Sequence, residues 1–341
     1  MTTFDSTKIL LSQLLADIKT GKVQLPDFQR GWVWDDDHVK DLLVSIARSF
    51  PVGAVMLLET GGEVRFQTRP VEGVEKLIDA SVEPQKLILD GQQRLTTLTQ
   101  AIGLTTPVQT RTSKGKAIQR HYYFDIRKAV ESEDYIEDAI VAVDENKQIK
   151  SNFGRDIDLD LSTVEKECQQ MMFPCDQIFN SNAWQIELSK YIENQSDIFV
   201  FMEFLNKIIQ PFSTYQLPVI ELKKESSKEA VCLVFEKVNT GGVQLSVFEL
   251  ITASYAAEGY NLRDDWLGSN IRNVESRQSR ITSHPLLKGT DATEVLQAVT
   301  ILHTYDMRQE DIKAGKTGKQ VRPVSAKRTD MLKLPLSSWQ G

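Results

Sequence analysis

A chain of 341 residues with 41% hydrophobic and 26% charged residues has the balance of an ordinary globular protein, long enough for one large or two medium cores. Its formal net charge of −7 excludes whole-surface attraction to nucleic acid or to an anionic membrane, so either contact must come from a local basic patch. The three cysteines, Cys168, Cys175 and Cys232, form no C-x-x-C pair, which excludes a zinc ribbon built on cysteine alone and suits buried free thiols in a reducing cytosol.

In chain order, the first residues show no basic segment leading into an apolar one, so they do not read as a secretory signal. Ser6 or Thr7 is placed to cap a first helix whose Ile9, Leu10, Leu14 and Ile18 form a core stripe, with Gly21 ending it. From Val23 to Trp34, proline and glycine break regular structure while Phe28, Trp32 and Trp34 bring apolar bulk, the pattern of a packed loop. Arg30 sits among those aromatics, as a stacked structural cation or as a ligand contact. Asp35, Asp36 and Asp37 open a helix buried through Val39, Leu42, Leu43 and Ile46, and they complement its dipole without needing a metal. Pro51 stops it, and Gly53 to Leu58 is a central strand. Glu59 to Glu83 reads as a hairpin or loop excursion.

Lys86 to Asp90 is an apolar run of strand length, while Leu95, Leu98 and Ile102 fall at helical spacing, so the period switches at Asp90 and Gly91. Gly103 is placed as the C-terminal cap. A helix start presents unpaired N–H groups and a partial positive charge, a natural anion site, and Arg94 lies in that first turn. The local sequence leaves two readings open: a phosphate or carboxylate site, or a capping box made by Asp90 and Gln93.

Thr105 to Arg120, carrying Arg111, Lys114, Lys116 and Arg120, reads as an exposed mobile loop before an aromatic strand, His121 to Ile126. Residues 131–210 read as mostly helical, including Val164 to Met172 and Trp184 to Ile192, with Pro174 and Asn180 to Asn182 as breaks. Ile198 to Ile209 is the longest apolar stretch, and Glu203 and Lys207 interrupt it too soon for a bilayer span. Tyr215 to Leu222 returns to a strand, Ser226 or Ser227 caps a helix through Val238, and Asn239–Gly242 turns into a helix beginning near Ser246. That turn is either a second anion cradle or a plain connector. Gly315, Lys316 and Thr317 mimic the end of a Walker A loop, but Glu310 stands where the motif needs glycine, so no P-loop is read. The final apolar residues, Met331 to Trp339, read as the beginning of a further element.

Taken together, Leu25–Trp34, Leu87–Leu98 and Phe235–Ser246 resemble the N-terminal domain family of GmrSD-type restriction endonucleases, as three ordered motifs spanning roughly residues 8 to 256. The resemblance implies an α+β fold with a ParB/sulfiredoxin-like mixed core over residues 1–130 and 211–258. Residues 131–210 would form a helical insertion, and 259–341 a helical C-terminal region that opens a further domain. It also implies a cytoplasmic domain that binds and hydrolyses a nucleoside triphosphate with Mg2+ in antiphage, type IV-like restriction of DNA. Carried over residue by residue, Asp90, Gln93 and Arg94 would be catalytic, and Gln29, Arg30, Gly91, Gln92, Asn239, Gly241 and Gly242 would bind the nucleotide. No metal ligand is assigned beyond a carboxylate or amide, Asp90 or Gln93, that would position water or an ion.

Members of this family commonly carry a His-Asn-His nuclease domain downstream. Here His38, His121, His284 and His303 are scattered, so DNA cleavage is not expected from these residues alone, and a further region or a partner chain would supply it. Two other readings stand beside this one. One is a ParB-like DNA-binding or nicking module using the basic segments Arg111–Arg120 and Lys313–Arg328; the other is an interaction scaffold in which the arginines are structural.

Overall fold

The computed structural model describes residues 4–27, 29, 31–62, 64–79, 81–131, 136–192, 194, 196–227, 230–231, 234, 246–269 and 274–341. The architecture is mixed helix and sheet, as an α+β reading expects. Strand β1 (Phe4–Leu10) leads into α1 (Leu11–Lys19) and β2 (Val23–Pro26), then α2 (Asp36–Ala47), β3 (Val55–Glu59), β4 (Thr68–Arg69), β5 (Lys86–Asp90) and α3 (Gln92–Gly103). Much later, β12 (Gln216–Leu222) returns to the same sheet, whose order is β1-β12-β3-β5-β2-β4. Within it β12 and β3 run parallel, β3 and β5 antiparallel, and β5 and β2 parallel.

Side-chain alternation divides this sheet between two cores. Leu57, Ile88 and Val219 pack with α1, α2 and α3, whereas Leu58, Leu87, Leu89 and Leu222 pack on Val64, Phe66, Val231 and Ala253. Burial on both faces explains why β5 reads as a continuous apolar run rather than an alternating one.

Several local expectations are met: Asp35 caps α2 through His38 N, and Val39, Leu42, Leu43 and Ile46 are buried. Asp36 accepts from the Tyr122 hydroxyl at 2.7 Å and pairs with Lys40, so two of the three carboxylates, Asp35 and Asp36, are held in structural contacts. Others are corrected. Ser6 and Thr7 cap no helix, because they lie in β1, paired with Ile220 and Val219 of β12. Gly103 is the last residue of α3, with Leu104 extended beyond it, and its φ is not left-handed.

The supposed loop at 105–120 is an antiparallel hairpin of β6 (Val108–Arg111) and β7 (Ala117–Asp125), turned at Gly115 with φ +82°. Of the two readings of 59–83 the loop excursion holds: among the described residues between β3 and β5 the one strand, β4, pairs with β2.

After α4 (Ile126–Glu131) and α5 (Ile136–Ala139), the stretch read as mostly helical also holds three short strands, β8 (Ile140–Val143), β9 (Gln148–Ser151) and β10 (Asp156–Asp160). Then α6 (Val164–Gln169) leads to β11 (Met172–Pro174), and β8 and β11 both pair with β7. Helices α7 (Ser181–Tyr191), α8 (Ser196–Phe204) and α9 (Gln210–Thr214) follow. Their Trp184, Phe201, Phe204 and Phe212 join the same core as α1 to α3. Cys168 and Cys175 are buried free thiols there, and Cys232 lies outside the described residues. No helix among the described residues is long and apolar enough to cross a membrane.

Helix α10 (Val247–Ala256) starts at Ser246 in a capping box with Glu249. With α11 (Leu262–Leu267), α12 (Arg277–Thr282), α13 (Ala292–Lys313), α14 (Arg328–Leu332) and α15 (Leu336–Gln340) it builds a separate apolar cluster. The final apolar residues pack into that cluster: Trp339 is buried and its indole N–H donates to Asp265 at 2.9 Å. Asp311 holds the basic segment, accepting from Lys316 and from Arg322.

At the end of the sheet away from Asp90, Lys86 of β5 and Glu221 of β12 meet across β3, and Lys223 bridges Glu221 and Glu59. Burial opposes the Glu221 charge, but hydrogen bonds from Lys223 and Lys86 outweigh it and hold the carboxyl down at about 2, against an ordinary 4.5. A depressed carboxyl contributes stability that is complete above its unfolded pKa and lost as pH falls toward the folded one. The wild type is therefore expected to lose stability relative to Glu221→Gln between about pH 4.5 and 2, read as the difference between their urea midpoints; equal pH slopes would refute this.

Candidate functional site at the start of α3

Strands β2 and β5 are parallel, pairing Val23 with Lys86 and Gln24 with Leu87, and their carboxyl ends open on one corner of the sheet. Ligands of open sheets gather beyond such ends. The ladder stops at Gln24, and the Gln29 amide takes over, donating to Ile88 O at 2.8 Å and Leu89 O at 3.3 Å. Among the described residues Gln29 Oε1 is buried without a hydrogen-bond partner, an arrangement that costs free energy unless a ligand or water answers it.

Strand β5 ends on Asp90, and Gly91 at φ +85° turns the chain into α3. A Cβ there would stand 3.1 Å from Val55 Cγ2 and 3.4 Å from Arg94 Nη2, so both the backbone and the space require glycine. No side chain caps α3. The capping-box reading therefore fails: Asp90 belongs to the strand, and Gln93 is engaged elsewhere. Gln93 Oε1 accepts from Val33 N at 2.9 Å and its Nε2 donates to Gly31 O at 3.2 Å, tying the loop after β2 to the helix start. Gln92 is almost fully buried in the same turn.

Arg94 points back across the sheet. Its Nη1 donates to Val52 O at 2.5 Å, its Nη2 to Ala54 O at 2.8 Å, and Nη2 lies 3.4 Å from Asp90 Oδ2. Gly53, at φ +90°, has no Cβ to collide with the guanidinium. The arginine thus braces the entry to β3 against the start of α3. It offers a ligand its charge more than a free fork, and Asp90 remains a third exposed at its side chain.

Sequence reasoning passed over several residues that build this corner. Arg69 donates to Gln29 O at 3.2 Å and to Glu72 at 3.0 Å, and Glu72 also accepts from Trp32 N. The Tyr215 hydroxyl donates to Phe50 O and accepts from Val52 N, holding the strand entry that Arg94 braces. Apart from the local Arg69–Glu72 pair, each acts on residues tens of positions away, so no local pattern marks them. Of the residues expected here, the fold brings together Gln29, Asp90, Gly91, Gln92, Gln93 and Arg94. Arg30, Asn239, Gly241 and Gly242 lie outside the described residues. Among the described residues no group of three or more His, Cys, Asp or Glu is arranged to hold a metal ion.

Compared with known proteins, the chain matches the family model described as GmrSD restriction endonuclease, N-terminal domain, over residues 11–256. That span runs from the first residue of α1 to the last of α10 and contains the whole corner described above. The chain is also similar to a curated protein of Methanocaldococcus jannaschii, named only as uncharacterized. The two are 28% identical over 274 residues, covering 79% of this chain and 44% of that protein. The chain thus spans less than half the length of that relative. With most of its length matched, and the β5–Gly91–α3 corner inside the match, the chain belongs to the family of GmrSD restriction endonuclease N-terminal domains.

Proposed function

We propose that this chain is the nucleotide-handling sensor of a bacterial antiphage restriction system, binding and hydrolysing a nucleoside triphosphate with Mg2+ at the start of α3. The observation that carries the reading is a glycine-initiated, uncapped helix directly after Asp90, at the carboxyl ends of two parallel strands. Such a start offers N–H groups and positive potential to a phosphate. The Gln29 Oε1 left without a partner among the described residues favours an occupant beside it.

In this reading the first-turn amides of α3 receive a phosphate, and Arg94 adds charge while holding the turn in shape. Asp90 would hold the Mg2+ that accompanies a polyphosphate, and the ion would neutralise charge on the transferring group. Gln29 and Gln92 line the turn, and Arg30, Asn239, Gly241 and Gly242 would complete the enclosure. The core is of the ParB/sulfiredoxin-like kind, and DNA cleavage belongs to a nuclease domain of the His-Asn-His type in a further region of the protein or on a partner chain, in the cytoplasm.

Phosphate release from each nucleoside triphosphate with Mg2+, followed together with the thermal midpoint, tests the reading. A ligand at 100 times its Kd raises native stability by about 2.7 kcal/mol if it binds only the folded state. Wild type is expected to turn over and to be stabilised, and Asp90→Asn to lose at least about 100-fold in turnover. Absence of both turnover and stabilisation with every nucleotide would overturn it.

A further inference from the structure

Two turns along α3 from Gln93, roughly 10 Å at 1.5 Å per residue, a cavity of about 740 Å³ opens between α3, the segment after β4 and the β6–β7 hairpin. Its size is that of a small-ligand site. None of residues 90–94 lines it, so it is distinct from the start of α3.

Its walls combine three chemistries. Trp32 supplies an indole, fixed by its ring N–H to Thr97 Oγ1 at 2.9 Å. Gln100, only 5% exposed, Gln109 and Gln119 supply amides. They are linked in a chain: Gln109 N donates to Gln100 Oε1, and Gln119 Nε2 donates to Gln109 Oε1 at 3.0 Å. The antiparallel register sets Gln109 opposite Gln119 and Arg111 opposite Ala117, on one face of the hairpin.

Lys76 and Arg111 complete the lining, both exposed. Neither side chain has a hydrogen bond or ion pair among the described residues, although acidic residues outnumber basic ones, 47 to 40, in this chain. The two carboxylates of the cavity do not neutralise them. Glu72 is spent on Arg69 and Trp32 N, and Glu75 accepts from Gly73 N at 2.9 Å.

We propose that this cavity is a second nucleotide site, separate from the α3 start. The base lies against the Trp32 indole with its edge among the Gln100, Gln109 and Gln119 amides, and the phosphate sits on Lys76 and Arg111. Aromatic faces hold bases through stacking, amides read their edges, and unpaired cations attract the phosphate. The nucleotide is either free or one unstacked unit of a single strand. Because Gly31 and Val33 flank Trp32 and both bond to Gln93, an occupied cavity touches the loop that the α3 start holds.

Calorimetric titration of the full chain with each nucleoside monophosphate, a single-stranded oligonucleotide and inorganic phosphate tests the proposal. Arg111→Glu removes a cation, and Ala117→Trp fills the mouth from the same hairpin face; both positions are exposed, and far-UV dichroism confirms folding of each variant. A nucleotide probe is expected to bind at least tenfold more tightly than inorganic phosphate and to be weakened at least tenfold by both variants. Asp90→Asn is expected to leave that binding unchanged, whatever it does to triphosphate turnover. Tighter binding of the oligonucleotide assigns the site to a strand, and tighter binding of the monophosphate to a free nucleotide. No saturable binding of either probe, or binding untouched by either variant, overturns the proposal.

Discussion

Arg94→Ala is expected to destabilise the protein by about 2–4 kcal/mol, because hydrogen bonds from a charged donor contribute roughly 1.5–3 kcal/mol each and water recovers part of the loss. The guanidinium bonds Val52 O and Ala54 O and touches Asp90, and its side chain is four-fifths buried. The substitution removes the brace between the entry to β3 and the start of α3, and with it the positive charge in the first turn. Arg94→Lys is expected to recover less than half of the loss, since an ammonium cannot span two carbonyls as a planar fork does. Urea denaturation measures stability, and nucleotide titration of the same samples measures the site. A purely ligand-clamping arginine would behave in the opposite way, with wild-type stability and lost binding. A change of less than about 0.5 kcal/mol would refute the bracing role.

Phe173→Ala is expected to cost about 3–5 kcal/mol, the range for deleting a fully buried phenyl ring. Phe173 is wholly buried, with ring centroids 5.2 Å from Trp184 and 5.3 Å from Phe204. Phe204 in turn meets Phe124 of β7 at 5.9 Å. This aromatic cluster belongs to the same continuous core as α1, α2, α3 and the large sheet. The loss should therefore shift one cooperative transition for residues 4–222 rather than release 131–210 by itself. Tryptophan fluorescence and far-UV dichroism followed on one denaturant series are expected to move together. An early, separate fluorescence transition in the variant would show that the 131–210 segment unfolds as an independent unit.

Much of the site-bearing frame was legible in the residues themselves. The change of period at Asp90 and Gly91 located the strand-to-helix corner, the capping residues Asp35 and Ser246 located two helix starts, and the apolar run to Leu222 located a returning strand. These signals are local, involving groups within a few positions of one another, so spacing and residue type suffice to read them.

What the sequence could not show depends on distant partners. Ser6 and Thr7 look like helix caps, yet pairing with β12, more than two hundred residues later, draws them into a strand. The basic segment at 111–120 looks like a solvated loop until β6 and β7 pair and Gly115 turns them. The short strands β8 and β11 carry little pattern of their own and form because β7 offers them two edges.

The sequence by itself therefore determined the corner at Gly91, its helix, and the presence of Arg94 in the first turn. The tertiary structure decided what Arg94 does, because only the pairing of β3 with β5 brings Val52 and Ala54 to its guanidinium. It decided likewise that Trp32, Lys76, Gln100 and Arg111 share one cavity. Both outcomes follow from loop closure over tens of residues, stabilised by burial on the two faces of the sheet rather than by any preference the separate segments possess.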